Sequence, residues 1–166
     1  MEPVRLDQAF FKRDVLEVAP DLVGKLLCCG GKVLRITETE AYRGEEDTAC
    51  HASRGRTART ETLYQRGGTI YVYLCYGIHE LFNVVTGEAG QPQAVLIRAC
   101  EGQTGPGKLT KALGINRRYN GLDITQTPDL CLASDGWTGQ IRAATRVGID
   151  YAAKEDREKL WRFILN

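Results

Sequence analysis

With 166 residues, 43% of them hydrophobic and 26% charged, the chain is long enough to bury a sizeable core, and its composition excludes disordered, collagen-like and coiled-coil architectures. No run of about 18 apolar residues offers a membrane-spanning helix, and the opening MEPVRLDQAF lacks the basic and apolar regions of a secretion signal. The net charge of +1 argues neither for nor against a nucleic-acid partner.

Asp14 with Glu17 three residues on is a variant capping box, predicting a short helix to about Lys25 that Pro20 breaks or restarts. Residues 25–29 and 32–42 read as strands joined by the two-residue hairpin signal Gly30-Gly31. A Gly-, Arg- and Thr-rich loop with a helical turn fills 43–67. In TIYVYLCYGIHELFNVVTG, strands over 69–75 and 79–86 meet at Tyr76-Gly77. QAVLIRAC is a further strand, and GPGKLTKALGI a helix with Pro106 near its start and Gly114 near its end. DLCLA, GQIRAATRVGI and WRFIL are short strands. The sum is a single α+β domain over residues 1–166, with a curved, mostly antiparallel sheet and a few helices.

Charge is unevenly spread. Residues 37–51 set five carboxylates against Arg43, and residues 52–66 set Arg54, Arg56, Arg59 and Arg66 against Glu61. Residues 108–118 carry Lys108, Lys111, Arg117 and Arg118 with no acid. Basic segments beside an acidic one fit an anionic polymer approaching a carboxylate site, and equally fit two solvated loops. The six cysteines lack a dense spacing pattern and are expected to be reduced thiols.

Strand alternation places Leu34, Ile36, Glu38, Glu40 and Tyr42 on one face. Carboxylates that continue an apolar face must be paired, hydrogen-bonded or functional, unless the strand twists out to water. A buried one suits a general base with a shifted pKa. Tyr71 and Tyr73 share a face, which sheet packing alone would explain. Tyr76, at a hairpin tip, has little of its own protein to pack on; exposed aromatics so placed stack on ligands or nucleobases.

Four blocks, ETEAYRGEEDTACHASRG, GGTIYVYLCYGIHELFNVV, AVLIRACE and GPGKLTKALGIN, resemble the alkyladenine (3-methyladenine) DNA glycosylase family, whose monofunctional enzymes excise alkylated and deaminated purines. ATRVGI and WRFIL extend the resemblance more weakly. It implies that Glu40 is the base activating water for attack on the sugar C1′, with Arg98 helping to hold that water and the glutamate. Tyr42, His51 and Tyr73 match the walls of the base pocket. Tyr76 matches the wedge pushed into the duplex, and Asn83 the residue that excludes normal guanine. Glu38 becomes structural support. The implied partner is double-stranded DNA with damaged purines, with no membrane, metal or other cofactor, and a monomer is the default. The implied location is the cytoplasm of a prokaryote or the nucleus of a eukaryote. The chain departs from the family pattern in having only GQT between RACE and GPGKL, and in its short run beyond RF. Both departures bear on the DNA-contacting rim more than on the pocket.

The residues leave other readings open. Cys50-His51 with Glu38 or Glu40 could hold zinc, though no C-x-x-C or H-E-x-x-H accompanies them. RGGTIYVYLCY echoes the aromatic strand of a non-catalytic nucleic-acid-binding module. Glu38 and Glu40 as a glycoside-hydrolase pair would lie about 7 Å apart on one strand face and could not flank a sugar.

Overall fold

In the computed structural model, which describes residues 2–166 and leaves Met1 of the expected domain outside, an aspartate starts each of the first two helices. After a two-residue strand β1 (Val4–Arg5), Asp7 accepts from the Phe10 N–H to open α1 (Gln8–Phe11), and Asp14 accepts from the Leu16 N–H to open α2 (Val15–Leu22). Each carboxylate takes a donor that the first turn cannot pair within the helix. Pro20 lies inside α2, which stops two residues later, short of the expected Lys25. Val15, Val18, Ala19 and Leu22 form its buried stripe.

The hairpin β2 (Leu26–Cys29) and β3 (Lys32–Arg43) turns at Gly30 and Gly31, whose φ values of 56° and 85° meet the demand of a two-residue loop. Two 3₁₀ turns, His51–Arg54 and Glu61–Tyr64, fill the following segment. Then come β4 (Ile70–Cys75), β5 (His79–Val85), β6 (Gln93–Cys100) and α3 (Pro106–Leu113), which Gly114 ends in the left-handed region. A 3₁₀ turn at Arg117–Tyr119 leads to β7 (Leu130–Ser134), β8 (Ile141–Ala144), α4 (Lys154–Arg157) and β9 (Arg162–Leu165). Of the expected GQIRAATRVGI strand, only Ile141–Ala144 is strand; residues 145–153 are loop.

The strands form one antiparallel sheet in the order β1-β7-β2-β3-β6-β5-β4, with β9 against β3 and β8 against β9. This is the expected α+β architecture. One face of the sheet packs under α2 and α3 through Ile36, Ala41, Phe82, Val84, Val95, Ile97, Leu109 and Leu113. No helix among the described residues is long and apolar enough to cross a membrane. All six cysteines are free, and Cys28 lies directly opposite Cys131 across β2 and β7.

The alternation expected of β3 fails in its middle. Ile36 and Ala41 both belong to the main core, yet residues five apart on an unbroken strand would face opposite sides. The register against β6 shifts between Ile36, Glu38 and Thr39, and this irregularity swaps the faces. Past it, Thr39 and Ala41 point to the core, Thr39 donating its hydroxyl to the Ala19 carbonyl of α2 at 2.7 Å. Glu40 and Tyr42 therefore do not continue the face of Ile36; they line the opposite one.

β4 is an edge strand of the sheet, and the segment after the third 3₁₀ turn runs along it. Ile70 donates to the Leu122 carbonyl, Gly121 to the Ile70 carbonyl, and Val72 to the Asn120 side-chain oxygen.

Candidate active site

Cross-strand register brings the site together. Tyr71 faces Asn83, Asn83 faces Leu96, and Leu96 faces Glu40, one residue from each of β4, β5, β6 and β3 in a row across the sheet. Directly opposed residues share a face, so this row floors a single cleft of about 740 Å³. The next positions, Tyr73, Ala94 and Tyr42, line the same cleft, and His51, on the first 3₁₀ turn, closes one side.

Glu40 has no exposed side-chain surface. Its Oε1 accepts from the Tyr42 hydroxyl at 2.8 Å and its Oε2 from the Val147 N–H at 2.8 Å. The Arg98 guanidinium stands 3.8 Å from Oε1. Burial pushes the Glu40 carboxyl above its ordinary pKa, and Arg98, the Val147 N–H and the Tyr42 hydroxyl offset part of that rise. Each oxygen keeps a lone pair free for a water proton. Glu38 is a quarter exposed and lies 3.3 Å from Arg162 and 3.9 Å from Arg98, a supporting place in the same charge cluster.

The aromatic wall is closely packed. The His51 ring centroid lies 4.4 Å from that of Tyr73, and Tyr73 5.3 Å from Tyr71. His51 Nδ1 pairs with the Tyr71 hydroxyl at 2.9 Å. Burial, then Arg59 and Arg54, push the His51 pKa down to about 4, so the ring is neutral at neutral pH. Burial likewise raises the phenols of Tyr42 and Tyr73, keeping them protonated. Asn83 is buried, its Nδ2 donating to the carbonyls of Tyr71 and Leu81 at 3.2 and 3.3 Å.

At the mouth, the β4–β5 hairpin exposes Tyr76 to 87% and Ile78 to 73%. Tyr76 is the one non-glycine residue with positive φ among the described residues, at 53°. A bulky side chain held there costs about 1–2 kcal/mol, a strain that tends to collect where a protein acts.

All seven expected site residues, Glu40, Arg98, Tyr42, His51, Tyr73, Tyr76 and Asn83, line this one cleft. Three contributors were not foreseen. Tyr71 shared parity with Tyr73, so its signal was present. The Val147 N–H comes from a loop expected to be strand, and Tyr151, whose hydroxyl donates to the Ala49 carbonyl at 2.7 Å, lies just beyond that expected strand. The basic segments divide: Arg54, Arg59 and Lys108 line the cleft, whereas Arg56 pairs with Glu61 at 2.7 Å and Arg117 with Glu80 at 3.2 Å. Cys50 turns its thiol toward the Pro92 carbonyl, while the adjacent His51 bonds Tyr71.

The family model described as methylpurine-DNA glycosylase matches residues 9–104 and 101–166, nearly the whole chain. The chain belongs to the methylpurine-DNA glycosylase family. It is accordingly a DNA-repair hydrolase with DNA as its substrate. The two matched segments overlap at residues 101–104, the stretch that holds the GQT connection. Relatives named "Putative 3-methyladenine DNA glycosylase" are 45% identical in Nitrosococcus oceani, covering 96% of this chain and 89% of that protein, and 43% identical in Natranaerobius thermophilus, covering 98% and 96%. One from Sodalis glossinidius is 42% identical, covering 95% of each chain. For a methylpurine-DNA glycosylase, the lesion must leave the base stack before its glycosidic bond is reachable, and this cleft opens beside the exposed Tyr76.

Proposed function

We propose that this glycosylase excises alkylated and deaminated purines of the 3-methyladenine, 7-methylguanine and hypoxanthine type, with Glu40 as its base. The observation that carries the reading is Glu40 itself: a fully buried carboxylate, oriented by a hydroxyl and a backbone N–H, beside Arg98 on the floor of an aromatic cleft. Tyr76 enters the duplex as the nucleotide is extruded, offsetting an unstacking cost of a few kcal/mol with stacking of about 1–3 kcal/mol per base. Tyr42, His51 and Tyr73 hold the extruded purine. Alkylation at N3 or N7 makes that purine cationic, and contact with the tyrosine faces then favours it by about 0.5–2 kcal/mol.

In the chemical step the C1′–N bond breaks and its electron pair leaves with the base: a cationic alkylated purine departs neutral, and neutral hypoxanthine takes up a proton from an acid or water as it departs. A water oxygen bonds to C1′, and its proton passes to Glu40. Arg98 holds the carboxylate and the water. Free base and an abasic sugar result. A single carboxylate suffices for this hydrolysis, and a lysine Schiff base, the route to strand cleavage, has no part in it. Asn83 crowds the exocyclic amino group of normal guanine.

The test is direct. Duplexes carrying hypoxanthine or methylated purines are incubated with the protein and free base is assayed. Release of free purine with the strand left unbroken is expected. Failure on every such duplex, or strand cleavage without base release, would defeat the proposal.

A further inference from the structure

One buried arginine stands directly behind the cleft wall without lining it. Arg146 and its partner Asp47 are buried, with 0% and 1% side-chain exposure. The guanidinium donates to both Asp47 oxygens at 2.7 and 3.0 Å, to the Ala41 carbonyl at 3.0 Å and to the Asp156 carbonyl at 3.1 Å. It is stacked between Tyr42 and Trp161, 5.0 Å from each ring centroid. Asp47 in turn accepts from the Arg43 and Ala49 N–H groups, fixing the loop that leads to His51.

A buried ion pair is a weak device for stability, because apolar side chains of similar volume often do as well. Its placement points elsewhere. Tyr42 shows one part of its ring to the cleft and another to Arg146, while its hydroxyl donates to Glu40. Val147, next in the chain, gives Glu40 its second hydrogen bond. We propose that Arg146 is a positioning residue of the reaction: from behind the wall it fixes the Tyr42 ring, aims the Glu40 carboxylate through Tyr42 and Val147, and sets a positive charge behind it. The proposal rests on Glu40 being the base.

The groups facing Glu40 can be named from each element around it. Tyr42 and Glu38 lie on its own strand, Arg98 on β6, Tyr73 on β4, and Arg162 on β9 reaches Glu38. Arg146, backed by Asp47, comes from the loop after β8. Burial raises the Glu40 carboxyl, and the two permanent cations Arg98 and Arg146 both pull it down.

Two variants separate charge from stacking. Arg146→Met with Asp47→Asn removes the ion pair without stranding a carboxylate. The acid limb of the single-turnover excision profile should then move up by about half to one pH unit. Arg146→Lys keeps the charge and loses the flat stack. Its limb should stay in place while its plateau rate falls at least tenfold, lesion-duplex affinity changing less than threefold. An unmoved limb in the double variant, or a wild-type plateau in Arg146→Lys, overturns the proposal. If the double variant does not fold, the lysine plateau decides alone. Glu40→Gln is assayed in parallel: full activity there would defeat the base assignment, a failure separate from that of Arg146.

Discussion

Two tight hairpins of the sheet, β2–β3 and β4–β5, are built on the same turn principle and put it to opposite uses. The β2–β3 hairpin turns on two glycines, and added side chains at Gly30 and Gly31 would meet nothing within 4 Å. Its strands feed the core, and the charges nearby pair conventionally: Arg35 holds the Asp135 carboxyl down to about 2. The β4–β5 hairpin sets a tyrosine in the positive-φ position and exposes it, above a cleft with a buried carboxylate and a histidine held neutral. The packed half follows local preference at its turn and in its ion pair, and the cleft half breaks it at Tyr76, Glu40 and His51. Departures from local consistency of this kind gather where a protein acts rather than where it folds. β3 runs from one region into the other, and the irregularity at Ile36–Thr39 marks the passage.

The contrast is sharpest in what single substitutions should cost. Glu40→Gln should slow single-turnover excision by about 10²–10⁴-fold or more while lesion-duplex affinity stays within threefold. Thermal stability should not fall, because the neutral amide escapes the burial penalty. Leu27→Ala in the packed half should do the reverse, lowering stability by about 2–5 kcal/mol with excision by the folded fraction unchanged. A Glu40→Gln protein excising within tenfold of wild type would erase the distinction.

Tyr76→Gly tests the two turns against each other. It should leave stability equal or raise it, by relieving about 1 kcal/mol of backbone strain. The extruded fraction, followed with a fluorescent unstacking reporter such as 2-aminopurine, should fall about 5- to 150-fold, the equivalent of about 1–3 kcal/mol of lost stacking. Gly31→Ala should cost stability at its positive φ and leave the reporter signal alone.

The pH response should also divide by region. Glu40, raised on folding, contributes stability that is present below the unfolded carboxyl value of 4.5 and lost as pH rises through its folded value. The stability gap between wild type and Glu40→Gln should therefore be widest at neutral pH and close in acid. His51, lowered from 6.5 to about 4, works the other way: its contribution is present above 6.5 and lost as pH falls toward 4. His51→Gln should flatten urea-unfolding stability over that window. Asp135, in the packed half, contributes stability that is present above pH 3.8 and lost as pH falls toward 2.

The smallest effect is expected at Asn83. Asn83→Ser should relax discrimination against guanine, raising excision of 7-methylguanine relative to hypoxanthine by more than twofold. A ratio within twofold of wild type would remove Asn83 as the gate.

Much of this was legible in the sequence because its signals are local. Gly30-Gly31, Pro106 and Gly114, and the tyrosine alternation of β4 each fixed an element with a mechanism. What escaped depends on distant partners. The faces of β3 were misread past Ile36 because a matched irregularity in two strands leaves no mark in either sequence. Val147 acts through its backbone, which no side-chain pattern reveals. β1, α1 and α4, at two to four residues each, are too short for periodicity to show. The resemblance, not the pattern, named the roles of Arg98 and Asn83; register brings Asn83 to the cleft, and Arg98 reaches it from the irregular stretch of β6 opposite Glu38 and Thr39.

The covering of β4 has a consequence for how the protein behaves in concentrated solution. A bare edge strand is a template on which a second copy can add its own strand, and chains of such additions grow into aggregates. Here Asn120, Gly121 and Leu122 occupy the hydrogen-bonding positions of the first half of that edge, an asparagine side chain standing in for backbone at Val72. Farther along, Arg59 reaches the Leu74 carbonyl and brings a positive charge that a second copy would have to face with its own. The hairpin that carries Tyr76 can thus stand at the rim of the sheet, open to a duplex and closed to itself. Asn120→Ala should leave the cleft intact and show its damage as turbidity on concentration.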